Sequence, residues 1–357
     1  MDPRDYGQRS ADPLRRALLA FYRKHRRDLP WRRTRDPYAI WVSEVMLQQT
    51  QVVTVIPRFA DFLHQFPDVQ SLAAVDEGAV CEAWAGLGYY RRARNLHKAA
   101  ALIVSELNGQ IPEAQSELRR LPGVGDYTSA AIASIAFGAK AAAVDGNLVR
   151  VLARVFALPG DADDPLLVRQ VRARAERLVD CRWAGEINQA LMDIGATICR
   201  SQDPACNSCP LRRMCQAFRD GAPTAYPGKK ARTARKSLCI AFAWIERKGE
   251  VLLEQRPLDG LWAGLWELPS ASGAKAKDEL ARRFGQQLDR PLARIAHTLT
   301  HRQVTATIYR ASLKTRSGPK QKWWPNPLAA PLSSLARKAI LAAVKAQSNR
   351  RDPHDSD

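Results

Sequence analysis

The chain has 357 residues, 46% of them hydrophobic, which is enough for two domains with sizeable cores. Its 55 lysines and arginines against 36 acids give a net charge of +19, and that balance points to a polyanionic partner, either nucleic acid or an anionic surface. No apolar run reaches the ~20 residues of a membrane span, and Met1–Arg16 is charged and lacks a hydrophobic signal core, so a cytoplasmic chain with no membrane partner is expected.

Residues 12–222 read as helix after helix. Leu14, Leu18, Leu19 and Tyr22 recur at helical spacing, as do Ile40, Val42, Val45, Met46 and Gln49. Glu44 falls inside this second, otherwise apolar stretch. It is either a carboxyl whose pKa burial would raise into a useful range for a general acid, or an exposed residue on a polar face; periodicity does not choose between them. Further on, Leu121-Pro122-Gly123-Val124-Gly125-Asp126-Tyr127-Thr128 stands between two helical stretches. Gly123 and Gly125 allow a tight turn, and amides at a helix start make an anion site that suits a DNA phosphate in so basic a protein. An ordinary helix-turn-helix corner is the plainer alternative. Asp145 precedes the helical run Leu148–Phe156 and reads as its N-cap.

Cys199, Cys206, Cys209 and Cys215 follow, spaced C-x6-C-x2-C-x5-C. Two C-x2-C knuckles would indicate zinc. One compact loop presenting four thiolates fits an iron–sulfur cluster better, with zinc as the alternative. Residues 223–236 are polar and basic and read as a linker. Strand-like runs at Leu238–Ile245, Glu250–Glu254 and Val304–Tyr309, with helical segments near 276–284 and 332–347, make 237–347 an α+β unit, and 348–357 is expected to be a disordered tail.

The LPGVG hairpin, the aspartate in Val144-Asp145-Gly146-Asn147 and the four-cysteine loop, in that order, resemble the helix-hairpin-helix DNA glycosylases related to endonuclease III. Trp41-Val42-Ser43-Glu44-Val45-Met46-Leu47-Gln48-Gln49-Thr50-Gln51-Val52 resembles the adenine-specific (MutY) branch. The fold this implies is a mainly α N-terminal helix-hairpin-helix glycosylase domain with an iron–sulfur loop, followed by an α+β Nudix-like C-terminal domain. The activity it implies is excision of adenine paired with 8-oxoguanine or guanine in double-stranded DNA, by a protein expected to be a monomer carrying one 4Fe–4S cluster on the four cysteines.

The resemblance also assigns roles. Glu44 matches the acid that protonates adenine, Asp145 the carboxylate that stabilises the cationic sugar, and Asn147 its positioning partner. Tyr127 stands where bifunctional relatives carry a lysine, and a tyrosine cannot form the Schiff base that leads to strand cleavage. Gln49 and Tyr89 match residues that wedge into the base stack, Arg91 suits a phosphate, and Arg32 matches a residue near the adenine pocket. For Tyr89 and Tyr90 a core aromatic pair is the alternative. In the second domain the family's Phe-Ser-His reader of oxidised guanine becomes Leu299-Thr300-His301, and the glutamate pairs of a working Nudix site are missing from Asp278–Gly285, so a recognition role without pyrophosphatase activity is expected. The competing readings are a glycosylase for another mispair, such as thymine opposite guanine, and a non-catalytic iron–sulfur DNA-binding protein.

Overall fold

The protein is described here by a computed structural model, which covers residues 12–228, 236–257, 260–288, 290–299, 301–313 and 318–351. The chain divides into two compact units, the break falling between 228 and 236, with the stretch 84–91 counted in the second.

The first unit is helical. Its elements are α1 (Pro13–His25), α2 (Pro37–Leu47), α3 (Val52–Gln65), α4 (Val69–Ala74), α5 (Glu77–Ala83), α6 (Arg91–Glu106), α7 (Gln115–Leu118), α8 (Asp126–Ala136), α9 (Gly146–Val155), α10 (Pro165–Val179), α11 (Ala184–Asp193) and α12 (Gln216–Arg219). Asp-Pro opens three of them. Asp12, Asp36 and Asp164 each turn a carboxylate onto free amides of the first turn, while the proline that follows has no amide to leave unpaired. Asp145 caps α9 in the same way, accepting from the Leu148 amide at 2.7 Å.

The helix α2 has no polar face. Every residue from Tyr38 to Met46 is buried, including Ser43 and Glu44, so the amphipathic alternative for Glu44 does not apply. On α11, Asn188 is fully buried and fastens the irregular stretch that leads to Asp145. Its Nδ2 donates to the Ala141 carbonyl and to Ser134 Oγ, both at 2.8 Å, and its Oδ1 accepts from the Ala143 amide at 3.1 Å. A π-helical turn, Ile194–Ile198, continues α11 towards Cys199.

The second unit is α+β. One sheet has the order β5-β1-β7-β6, from Ser270–Ser272, Lys236–Trp244, Arg302–Arg310 and Pro291–Thr298. A second joins β2 (Glu246–Arg247), β3 (Glu250–Gln255) and β4 (Trp266–Glu267), with β8 (Gln321–Trp324) on β3. Strands β1 and β7 run parallel, from Lys236 opposite Arg302 to Trp244 opposite Arg310. Helix α13 (Ala276–Phe284) buries Leu280 and Phe284 against β1 and β5, and α14 (Ser334–Arg351) covers β6 and β7. That last helix runs through 348–351, four residues into the segment expected as a tail; 352–357, and 229–235 of the linker, lie outside the described residues.

Asn188→Ala should leave the Ala143 amide and the Ala141 carbonyl buried without their partner. Denaturant unfolding is expected to show a loss of about 1–3 kcal/mol, against no measurable change for the exposed Gln170→Ala.

Candidate active site

A cavity of about 200 Å³ opens in the first unit where α2, α8, α9, α11 and the turn Pro30–Arg32 meet. It is smaller than the ~300–1,000 Å³ of sites for drug-sized ligands, which suits a single base. Among its lining residues are Glu44, Tyr127, Asp145 and Asn147, so the four residues marked as chemical in the sequence share one pocket. Arg32 joins them.

Glu44 projects from the buried helix, and its Oε2 has no hydrogen-bond partner among the described residues. Burial pushes its carboxyl up to about 7; the Tyr127 hydroxyl and Arg32 pull it down, and the negative charge of Asp145 pushes it up. Tyr127, near the start of α8, is partly buried, and its hydroxyl donates to Met192 Sδ at 3.8 Å. Burial raises this phenol well above its ordinary value, and the nearby carboxylates add to the effect, so it stays neutral at working pH.

Asp145 is both cap and cavity wall. Burial raises its carboxyl, while the Leu148 amide and Asn147 Nδ2, at 3.0 Å, hold it back. Asn147 accepts in turn from Arg150 at 2.7 Å. Arg150 also donates to the carbonyls of Cys199 and Gly195, at 2.8 Å each. A hydrogen-bonded chain therefore runs from Asp145 to the first cysteine. Gly195 packs so tightly that an added Cβ would stand 2.7 Å from Asn147 Cβ.

Gly123 takes φ +78°, an added Cβ there would meet Asn95, and with Gly125 it lies on the surface; Val124 is buried and offers only backbone. Gln49 and Tyr89 are both exposed and both left-handed, at φ 55° and 48°, a conformation that costs a non-glycine residue free energy. Arg91 is exposed. Tyr90 is buried, so the core reading holds for that tyrosine alone.

The four cysteines line a second cavity, with Val151, Ile194, Ile198 and Leu211. Among the described residues no group of three or more His, Cys, Asp or Glu lies close enough together to hold one metal ion. A single tetrahedral zinc would need sulfurs about 3.8 Å apart, whereas a cubane spreads its four thiolates over separate irons. Burial pushes the Cys209 thiol up to about 11, so a metal group there would have to displace protons. Arg154, 2% exposed, donates to Cys199 Sγ at 3.3 Å and to the carbonyls of Arg200, Ser201 and Tyr226.

Comparisons with known proteins give the family. The profile of the HhH-GPD superfamily of base excision DNA repair proteins matches residues 42–178, and that of the NUDIX domain matches 240–346. The human adenine DNA glycosylase is 36% identical over 84% of this chain and 67% of its own length, and the rat enzyme 35% over 84% and 70%. The chain belongs to the adenine DNA glycosylases of base excision repair.

The helical part is also similar to the structure of a thermostable thymine-DNA glycosylase, with 31% identity and a TM-score of 0.54 over 58% of this chain and 95% of that one. The adenine glycosylase resemblance is the longer one, reaching through the second unit.

Some residues lining the cavity gave no signal in the sequence. Gln189, Met192 and Ala196 line it from α11 and its continuation, and Arg27 from the loop just after α1. Their 3–4-residue spacing matches a helix face, but the face reads as core. In the second unit Leu299 packs against the core, its amide donating to the Arg302 carbonyl at 2.8 Å in the β6–β7 turn, and His301 is exposed; Thr300 lies outside the described residues.

Arg154→Met would strip hydrogen bonds from three carbonyls and Cys199 Sγ. A loss of more than about 2 kcal/mol is expected, read as a fall of several degrees in Tm.

Proposed function

We propose that this glycosylase hydrolyses the N-glycosidic bond of adenine opposite 8-oxoguanine or guanine in duplex DNA, leaves an abasic site and does not cut the strand. The observation that carries the reading is the shared pocket in which a protonatable Glu44 faces Asp145. Adenine is a poor leaving group. Glu44, neutral up to about pH 7, gives its proton to the departing base. Asp145, held by the Leu148 amide and Asn147, opposes the positive charge that grows on the sugar, as carboxylates do in other glycosidic cleavages. Tyr127 supplies a neutral hydroxyl in place of an amine, so no Schiff base forms.

Duplex DNA hides the base, so the target must be extruded. Exposed Gln49 and Tyr89 are suited to fill the gap, Arg91 and the amides around Gly123–Gly125 to grip phosphates. Cys199, Cys206, Cys209 and Cys215 would hold one 4Fe–4S cluster, which would tie the loop after α11 to the helical core rather than take part in hydrolysis. The second domain would read the opposite base through Leu299-Thr300-His301, with no pyrophosphatase role. Domain limits of 12–222 and 237–347, and a monomer, complete the proposal.

The test is single-turnover excision from duplexes carrying adenine opposite 8-oxoguanine, guanine or thymine, and thymine opposite guanine, with and without alkali. Cleavage of the first two, only after alkali, is expected. Excision of thymine, strand cutting without alkali, or no excision by DNA-bound protein would each contradict the proposal. Glu44→Gln should bind the mispair and fail to excise. Because the protonated acid is the active form, the rate should fall about tenfold per pH unit above about 7.

A further inference from the structure

Asp193 closes α11, and its side chain is 1% exposed. Two guanidiniums meet on it. Arg32 binds in a fork, Nη1 to Oδ2 at 2.5 Å and Nη2 to Oδ1 at 2.9 Å, and Arg27 Nε reaches Oδ1 at 2.6 Å. Both arginines line the base-sized cavity, and Asp193 is not among the lining residues. The charged or titratable groups on that wall are Arg27, Arg32, Glu44, Tyr127 and Asp145. Two cations and two carboxyls thus line the same base-sized cavity. A guanidinium freed from Asp193 would find Glu44 or Asp145 as its remaining partner, and an ion pair with Glu44 would take the proton the reaction needs. Two further bonds brace the anchor: Thr197 Oγ donates to the Asp193 carbonyl at 2.7 Å, and Arg32 lies over the Tyr22 ring, 5.7 Å from its centroid.

We propose that Asp193 is a positioning residue of the excision reaction: it holds Arg27 and Arg32 in place on the pocket wall and offsets their charge, so that Glu44 faces a net charge of one rather than two. The inference rests on Glu44 being the acid. It separates two functions that would otherwise conflict, presenting arginine donors to a base and keeping a neighbouring carboxyl protonated. The carboxylate that satisfies the arginines is buried behind them, where it cannot itself meet the substrate.

The experiment is the pH dependence of single-turnover adenine excision by the full-length chain, opposite guanine, for wild type, Asp193→Asn, Asp193→Glu and Arg27→Met. Loss of the Asp193 charge lowers the Glu44 pKa, so the pH at which activity is lost should fall in Asp193→Asn by roughly half a unit or more. Asp193→Glu should restore that midpoint whatever its rate. Arg27→Met removes one cation and should move the midpoint upward, which keeps the idea testable if Asp193→Asn does not fold. A merely structural Asp193 would lower the rate at every pH without moving the midpoint, and unchanged midpoints in the variants that fold would overturn the proposal. Glu44→Gln is run alongside: excision by that variant would instead sink the reading of Glu44 as the acid.

Discussion

Desolvation of one carboxyl organises the cavity of the first unit. Glu44 sits on a helix whose residues from Tyr38 to Met46 are all buried, where its ionised form loses hydration and its Oε2 has no hydrogen-bond partner among the described residues. Everything around it bears on whether that proton stays. Tyr127 is neutral and lies beside it, Asp145 repels its charge, and Arg32 is occupied by Asp193. An exposed glutamate at the same place would be ionised at neutral pH and useless as an acid. The capping carboxylate Asp36 and Pro37 make this possible by starting α2 where all nine residues that follow are buried.

The second carboxylate is placed by different means. Asp145 is fixed as the N-cap of α9, so its position follows from the helix rather than from a flexible loop. The same helix carries Asn147, Arg150 and Arg154, which lie one or two turns apart and connect Asp145 to the cysteine loop through hydrogen bonds. Gly195, pressed on Asn147 from the π-helical turn, keeps that connection short. The cysteine loop and the pocket are thereby parts of one packed framework.

Much of this was legible in the sequence. The Asp145 N-cap and the Gly123-Val124-Gly125 turn before a helix are local signals whose structural meaning survives without knowing the fold. Strands β1, β3 and β7 and helices α13 and α14 followed from residue type and period. Glu44 marks the limit of that approach. A glutamate among apolar residues is compatible with a polar stripe, and only packing on every side of α2 removes that choice. Asp193 and Arg27 were illegible for a related reason: a buried ion pair looks, in sequence, like two surface charges 166 residues apart. Strand β6 was missed because its exposed residues, Arg294 among them, dilute the strand signal at a sheet edge.

The most direct measurement is the protonation state of Glu44 itself. Difference infrared spectra between the protein and its Glu44→Gln variant, recorded across a pH series, isolate this one carboxyl. A protonated carboxylic acid band should persist at pH 6 and titrate near 7. A carboxylate already fully ionised at pH 6, titrating near the ordinary ~4.3 of a solvated glutamate, would contradict it.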